Sequence, residues 1–359
     1  MKKCYLTLLV IIVFSIGAGS YIAAEKPESR SKIMLSENEK KEIIDTAGLL
    51  LVQRYVFPKI AIKMSDYLKM KFKNGQYDQY SKPADFAKQL TSDLQQISQD
   101  KHLRVRFDPT RVSEIKKEDS TSGTDAIPKP WLERMRRINY GFMEAKILLG
   151  NVGYLDIRGF VPIEYGAETA VAAMKFVLNS DAVIFDLRRC GGGRPEILQL
   201  IISYLFDSVV HLNDFYFRPD DSITQTWTLP YVPGKRKPEI DVYVLTSKST
   251  FSAGEEFAYD LRSLDRATLI GESTGGGAHP GGEQIINDRF YIWVPSGRAI
   301  NPITKTNWEG TGVIPHINVS ADQALKTAHL EALKGIRDNC KDDAIKSKYS
   351  EYIERIKQE

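Results

Sequence analysis

Apolar residues recur at helical spacing in the first part of the chain. The stretch that begins at Ser36 carries apolar residues three and four positions apart, and Ser36 with Glu39 forms the S-x-x-E capping pattern that marks a helix start. Two further stretches, 59–75 and 82–100, repeat this spacing. The pattern predicts an N-terminal helical domain over residues 36–102.

From residue 142 onward the pattern changes to the alternation of strands and to short apolar runs. The first segment alternates around Gly150 and Asn151, a pair suited to a tight hairpin turn. Apolar strands at 182–187 and 240–246 then alternate with amphipathic helical stretches. This rhythm predicts an α/β core with parallel strands over residues 142–340.

Two loops of this core stand out as places for a ligand. In parallel sheets, ligands bind where the carboxyl ends of strands meet loops. The glycine run 191–193 and the segment 247–252 both follow predicted strands. The polar stretch 103–141 is predicted to be a linker or surface loop, and residues 341–359 a helical tail.

Residues 1–24 have the layout of a secretory signal peptide. Two lysines precede a long uncharged apolar run that ends in small residues. The run 4–24 is also long enough to span a bilayer as an uncleaved anchor, so the cleaved and the anchored form both stay open. Residues 25–35 read as a linker. We expect an exported protein, periplasmic or extracellular, with membrane association through residues 4–24 in the anchored form.

The composition narrows the function classes. The chain has 359 residues, of which 42% are hydrophobic and 26% charged, and a formal net charge of +3. A near-neutral chain without a basic run among aromatic residues gives no reason to expect a nucleic-acid partner. Three cysteines are too few for a disulfide scaffold, and the five histidines are scattered rather than spaced as ligands. Neither a metal site nor a cofactor is predicted.

Ser252 stands at the junction of an apolar strand and an amphipathic helix. With Glu255 it fits a capping box, so it could serve only to cap the helix. The same position suits a nucleophile, because N–H groups at a helix start stabilise negative charge. The N–H of Ala253 could then be one oxyanion donor, and that of Gly192 in the glycine run the second. Thr250 replaces the first glycine of the G-x-S-x-G elbow, which disfavours an α/β-hydrolase.

Four segments together resemble the C-terminal-processing and tricorn family of serine peptidases. They are DLRRCGGG (186–193), TSKSTFSAGEEFA (246–258), GESTGGGAHPGG (271–282) and WEGTGVIPHINV (308–319). The resemblance covers residues 142–335. It implies a crotonase-like α/β catalytic domain, a peptide or protein substrate, and Ser252 as the nucleophile.

The resemblance also bears on the general base. Gly277 stands where the processing peptidases have their lysine, and no PDZ module fits the stretch before the domain. The tricorn and interphotoreceptor retinoid-binding branch is more similar. It implies His102 as the base and Glu309 as the group that orients it, whereas Lys101 stands where a helper serine would be. His279 is the alternative base.

A function of another class remains open. The retinoid-binding relatives carry apolar ligands on the same fold, and the missing helper serine would fit an inactive member. In that interpretation Ser252 is only a cap, and the cleft binds a hydrophobic molecule or a peptide end without cutting it.

Overall fold

The computed structural model describes residues 34–120 and 129–358. The predicted signal segment and most of the first linker lie outside these residues. The helices are α1 (Glu37–Arg54), α2 (Pro58–Lys73), α3 (Pro83–Ser98), α4 (Pro109–Ser120), α5 (Lys129–Arg137), α6 (Ile163–Val177), α7 (Pro195–Ser203), α8 (Ala253–Ser263), α9 (Ala321–Asn339) and α10 (Asp343–Gln358). None of these described helices is long and apolar enough to cross a bilayer.

The strands form one large sheet and two small ones. They are β1 (Arg104–Phe107), β2 (Phe142–Leu148), β3 (Val152–Ile157), β4 (Ala182–Asp186), β5 (His211–Phe217), β6 (Ser222–Trp227), β7 (Asp241–Thr246), β8 (Thr268–Gly271), β9 (Gly281–Ile285), β10 (Phe290–Pro295), β11 (Gly297–Ile300) and β12 (Ile317–Asn318). The large sheet has the order β12-β8-β7-β4-β3-β2, and only the β2–β3 pair is antiparallel. The predicted α/β class and the hairpin are therefore confirmed, with Gly150 and Asn151 both at positive φ in the turn.

The large sheet is the middle of three layers. Its parallel strands are apolar on both faces: Phe185 and Val244 pack with α6–α8, whereas Ile184 and Leu245 pack with α9 and α10. This explains why these strands appear in the sequence as continuous apolar runs rather than alternating ones.

The N-terminal helices share a core with the second part of the chain. The capping box of Ser36 and Glu39 starts α1 as predicted. Helices α1–α3 pack against β10 and β1 in a second hydrophobic cluster that contains Phe86, Leu90 and Phe290. Strand β10 lies between β1 and β9 in an antiparallel sheet, so one sheet joins both regions.

The expectation of a linker over residues 103–141 was wrong for its described part. That stretch contains β1, α4 and α5, with a short 3-10 turn before β2. Its apolar residues are few, but Val105, Val112 and Ile115 are buried. Strand β1 is stabilised by its pairing with β10, a contact that the local sequence pattern does not indicate.

Helix α8 buries two carboxyl groups one turn apart. Glu256 and Asp260 are 4% and 0% exposed, and the Asn213 amide donates to Asp260 at 2.6 Å. Burial raises the pKa of both groups well above the usual value, and the nearby charge of Asp260 adds to the effect on Glu256. Ionising this pair therefore opposes folding.

We expect Glu256→Gln to stabilise the protein at alkaline pH. A carboxyl whose pKa is raised by folding holds its proton longer in the folded chain, so the free energy of unfolding falls as pH rises above about 4 towards the folded pKa. The melting temperature at pH 8 should rise by roughly 1–4 °C in the variant, and the gain should shrink towards pH 4.5. The exposed Glu42→Gln is the control. An equal gain at both pH values would contradict the assignment.

Candidate active site

Ser252 has a strained backbone conformation. It joins the loop after β7 to the first residue of α8, with φ 54° and ψ −126°. A residue other than glycine in this region costs roughly 1–3 kcal/mol and persists only where its surroundings impose it. The sharp strand-to-helix turn is thus present although Thr250 replaces the first glycine of the G-x-S-x-G pattern, whose second glycine is Gly254.

Hydrogen bonds to the loop after β4 hold this turn. The hydroxyl of Ser247 donates to the carbonyl of Arg188 at 2.5 Å, and the Phe251 N–H donates to the carbonyl of Cys190 at 2.9 Å. Gly254 allows the close approach, since a Cβ there would lie 3.0 Å from the sulfur of Cys190. The two predicted ligand loops therefore meet at the carboxyl ends of β4 and β7.

Cys190 is part of the packing under this turn. Its side chain is fully buried, and burial raises the pKa of the thiol to about 12. Cys190 and Cys340 are both free cysteines. A thiol with that pKa stays protonated and unreactive near neutral pH.

Glu255 anchors the start of α8. Its carboxylate accepts the N–H of Ser252 at 2.9 Å and the N–H groups of Gly276 and Gly277 at 2.6 and 2.8 Å. Ser252 and Glu255 are arranged as a capping box, and the Glu255 N–H donates to the Ser252 carbonyl at 2.8 Å. The Glu255 N–H thus has a backbone acceptor and does not depend on the Ser252 hydroxyl.

The two predicted oxyanion donors lie beside Ser252. Ala253 is the first residue of α8, and its N–H has no hydrogen-bond partner within residues 34–120 and 129–358. A Cβ on Gly192 would come within 2.6 Å of the Ser252 Cβ, so the Gly192 backbone approaches the serine closely.

His102 lies next to the segment that carries Ser252. Its imidazole packs on the ring of Phe251, with 4.5 Å between the ring centroids. The backbone N–H of His102 donates to Asp100 at 3.0 Å, which fixes the turn before β1. Burial lowers the pKa of His102 to about 4, so the imidazole is neutral at physiological pH.

Glu309 and His279 complete a buried cluster with Asp100. The Nδ1 of His279 lies 2.8 Å from Asp100 Oδ2 and 3.5 Å from Glu309 Oε2, and Glu309 accepts the Ala278 N–H at 2.5 Å. Burial first, and the charge of Asp100 second, raise the pKa of Glu309 to about 7. One carboxylate oxygen of Glu309, one of Asp100 and one nitrogen of His102 lie within 4.8 Å of one another.

The structure thus brings His102, His279 and Glu309 into one cluster, against the loop that covers the start of α8. Lys101, at the position of the absent helper serine, donates instead to the Gly275 carbonyl at 2.5 Å. Asp100 was not predicted. Its only sequence signal is an acidic residue two positions before the candidate base, in a stretch that is polar throughout.

Comparisons with known proteins agree with this architecture. Residues 151–319 match peptidase family S41, and residues 28–137 match the N-terminal domain of peptidase S41 in eukaryotic IRBP. A candidate peptidase from Parabacteroides merdae superposes with a TM-score of 0.57 at 16% identity, over 86% of this chain and 99% of that one.

Two further solved structures share the fold. A lipoprotein from Streptococcus agalactiae has a TM-score of 0.51 at 14% identity, over 82% of this chain and 94% of its own. The tricorn protease has a TM-score of 0.50 at 15% identity, over 89% of this chain and 37% of its own. The resemblance found in the four sequence segments is confirmed, as is the fold it implied.

We expect Gly277→Ala to disrupt the cluster. A Cβ there would lie 2.3 Å from the ring of Phe251 and 2.7 Å from Cε1 of His102, so one of these rings must move. Overpacking of this kind costs about 1–3 kcal/mol, measurable as a loss in the free energy of urea unfolding. Gly282→Ala is the control, because the nearest atom to its Cβ would be 3.9 Å away. Equal stability of the two variants would contradict this prediction, because it would show that the rings of Phe251 and His102 can move aside without a measurable loss of stability.

Proposed function

The chain belongs to peptidase family S41, and we propose that it hydrolyses peptide bonds through an acyl-enzyme on Ser252 with His102 as the general base. Its substrates are peptides or proteins. The observation that carries the proposal is the strained turn that presents Ser252 at the start of α8, next to the N–H of Ala253. A strained turn between a strand and a helix is a common way to expose the side chain of a nucleophile at an active site.

The proposed reaction uses groups that surround this turn. The Ser252 oxygen attacks the peptide carbonyl as its proton passes to His102, and the tetrahedral oxyanion forms beside the N–H groups of Ala253 and Gly192. The C–N bond then breaks, the amine leaves with the proton from His102, and a water hydrolyses the ester by the same route.

His102 suits the role of base better than His279. The His102 imidazole contacts Phe251, directly before the nucleophile, and its low pKa leaves it free to accept a proton. The Nδ1 of His279 is engaged by Asp100, and the residue is only 4% exposed. We assign His279 to holding Asp100, and Glu309 with Asp100 to stabilising the imidazolium that forms.

Export is the second part of the proposal. The layout of residues 1–24 supports a signal peptide or an anchor. We therefore propose that the endopeptidase acts on peptides or proteins in the periplasm or outside the cell.

A fluorophosphonate probe tests the nucleophile. We expect the wild-type protein to be labelled on one serine and Ser252→Ala not to be labelled, whereas His102→Ala should slow labelling by about a hundredfold or more. Intact mass and peptide mapping identify the modified residue.

Ser249→Ala is the matched control, since Ser249 is an exposed serine in the same loop. It should be labelled as fast as the wild type. A folded wild-type protein that no fluorophosphonate labels would overturn the proposal and favour a binding protein for a hydrophobic molecule or a peptide end.

The pH dependence of labelling tests the roles of His102 and Glu309. Because the pKa of His102 is about 4 and that of Glu309 about 7, the labelling rate should change little from pH 5 to 6 and rise through about pH 7 as Glu309 becomes charged. The rise should be about tenfold, corresponding to one pKa unit of imidazolium stabilisation. In Glu309→Gln this rise should be absent. A step near pH 6.5 that persists in that variant would assign it to the histidine instead.

A further inference from the structure

We propose that Asp100, His102 and Glu309 form a binding site for a divalent transition-metal ion of the Zn²⁺ type, and that the bound ion inhibits the enzyme by binding the imidazole of the base. The first half concerns binding alone. The second half rests on the proposed function, because inhibition requires His102 to be the base for Ser252.

The geometry is close to that of a metal site. The ligand atoms of the three residues all lie within 4.8 Å of one another, and the distance from His102 Nδ1 to Asp100 Oδ1 is 4.0 Å. Ligands about 2.0–2.2 Å from a tetrahedral Zn²⁺ are about 3.3 Å apart. Side-chain rotations that move each atom by less than about 1 Å would close the difference, without a change in the backbone.

Two atoms of the cluster lack a partner. Among the described residues, His102 Nδ1 and Glu309 Oε1 are buried side-chain atoms without a hydrogen bond. A buried polar atom left in this way costs about 1–3 kcal/mol. One is an imidazole nitrogen and the other a carboxylate oxygen, and a shared cation would satisfy both.

The donor set favours zinc-like ions over magnesium or calcium. Imidazole suits Zn²⁺, Co²⁺ and Ni²⁺, whereas Mg²⁺ and Ca²⁺ take oxygen ligands almost alone. Two carboxylates also balance the charge of a divalent ion. The side chains of His102 and Glu309 are 13% and 17% exposed, so an ion has a way in from solvent.

His279 positions the site without being required as a ligand. Its Nδ1 lies 2.8 Å from the Asp100 oxygen Oδ2. A carboxylate held by an imidazole in this way keeps its other oxygen oriented towards a metal. Oδ1, the oxygen nearer to His102 Nδ1, accepts the His102 backbone N–H at 3.0 Å and keeps its second lone pair for the ion.

Inhibition follows because the ion and a proton compete for one imidazole. With the ion on Nδ1, a neutral imidazole carries its proton on Nε2, so no nitrogen lone pair is left to accept the serine proton. The ion would also draw Glu309 and Asp100 towards itself, away from the imidazolium they would stabilise. Occupancy and nucleophile activity should therefore vary in opposite directions.

The binding test is a titration of the chelator-treated full chain with Co²⁺ and Zn²⁺. We expect saturation at one ion per chain, with a visible Co²⁺ absorption band that Zn²⁺ displaces. Calorimetry should give a Kd at least about tenfold to a hundredfold weaker in Asp100→Asn and, independently, in Glu309→Gln. Ser252→Ala and His211→Gln, which alters a His–Asp pair elsewhere, should bind as the wild type does. Circular dichroism checks that each variant is folded.

The inhibition test follows fluorophosphonate labelling at increasing Zn²⁺. The labelling rate should fall in proportion to occupancy and return on chelation. No saturable binding, or binding unchanged in both ligand variants, would overturn the site. A labelling rate that rises with Zn²⁺ would overturn the inhibitory role. A metal-free wild type that is not labelled would overturn the proposed function and with it the inhibition, whereas the titration would still decide the site.

Discussion

The buried carboxylate of Glu255 is the interaction on which the arrangement of the site depends. It accepts hydrogen bonds from the Ser252 N–H, from the Thr274 hydroxyl at 2.5 Å, and from the N–H groups of Gly276 and Gly277. Burial raises its pKa, and these four donors act against that shift. A carboxylate buried without such donors would cost several kcal/mol, so the loop and the helix start are stable only together.

With the loop and the helix start joined in this way, three acidic side chains lie around the imidazoles of His102 and His279. Asp100, Glu255 and Glu309 lie close enough that the charges of the first two raise the pKa of the third. The same field favours a positive charge on His102 once a proton arrives, although burial disfavours that charge in the resting state. The His102 imidazole is therefore neutral in the resting state, whereas the nearby carboxylates stabilise its protonated form when it accepts a proton during the reaction.

The sequence carried more local information on the proposed nucleophile than on the proposed base. Ser252 and Gly192 lie in contiguous motifs at strand ends, where local pattern carries the information. His102 could be named only through a resemblance, because its partners come from far along the chain. Asp100 could not be distinguished from the polar residues around it, since its contact with His279, 179 positions away, exists only in the folded chain. The short strand β1 was not predicted for the same reason, because its pairing partner β10 lies far along the chain.

The pairing of β1 with β10 sets the position of His102, the proposed base, relative to the loop that carries Ser252, the proposed nucleophile. His102 stands two residues before Arg104, which lies opposite Trp293, while β9 of the same sheet follows directly on the loop that wraps the start of α8. Each residue of strand advances the chain by about 3.4 Å. A shift of one residue would turn Val105 to solvent, and a shift of two would move His102 by about 7 Å, away from its contact with Phe251. The helical region is thus not an appendage to the peptidase S41 domain, because the register of one four-residue strand sets whether His102 lies against the loop before α8.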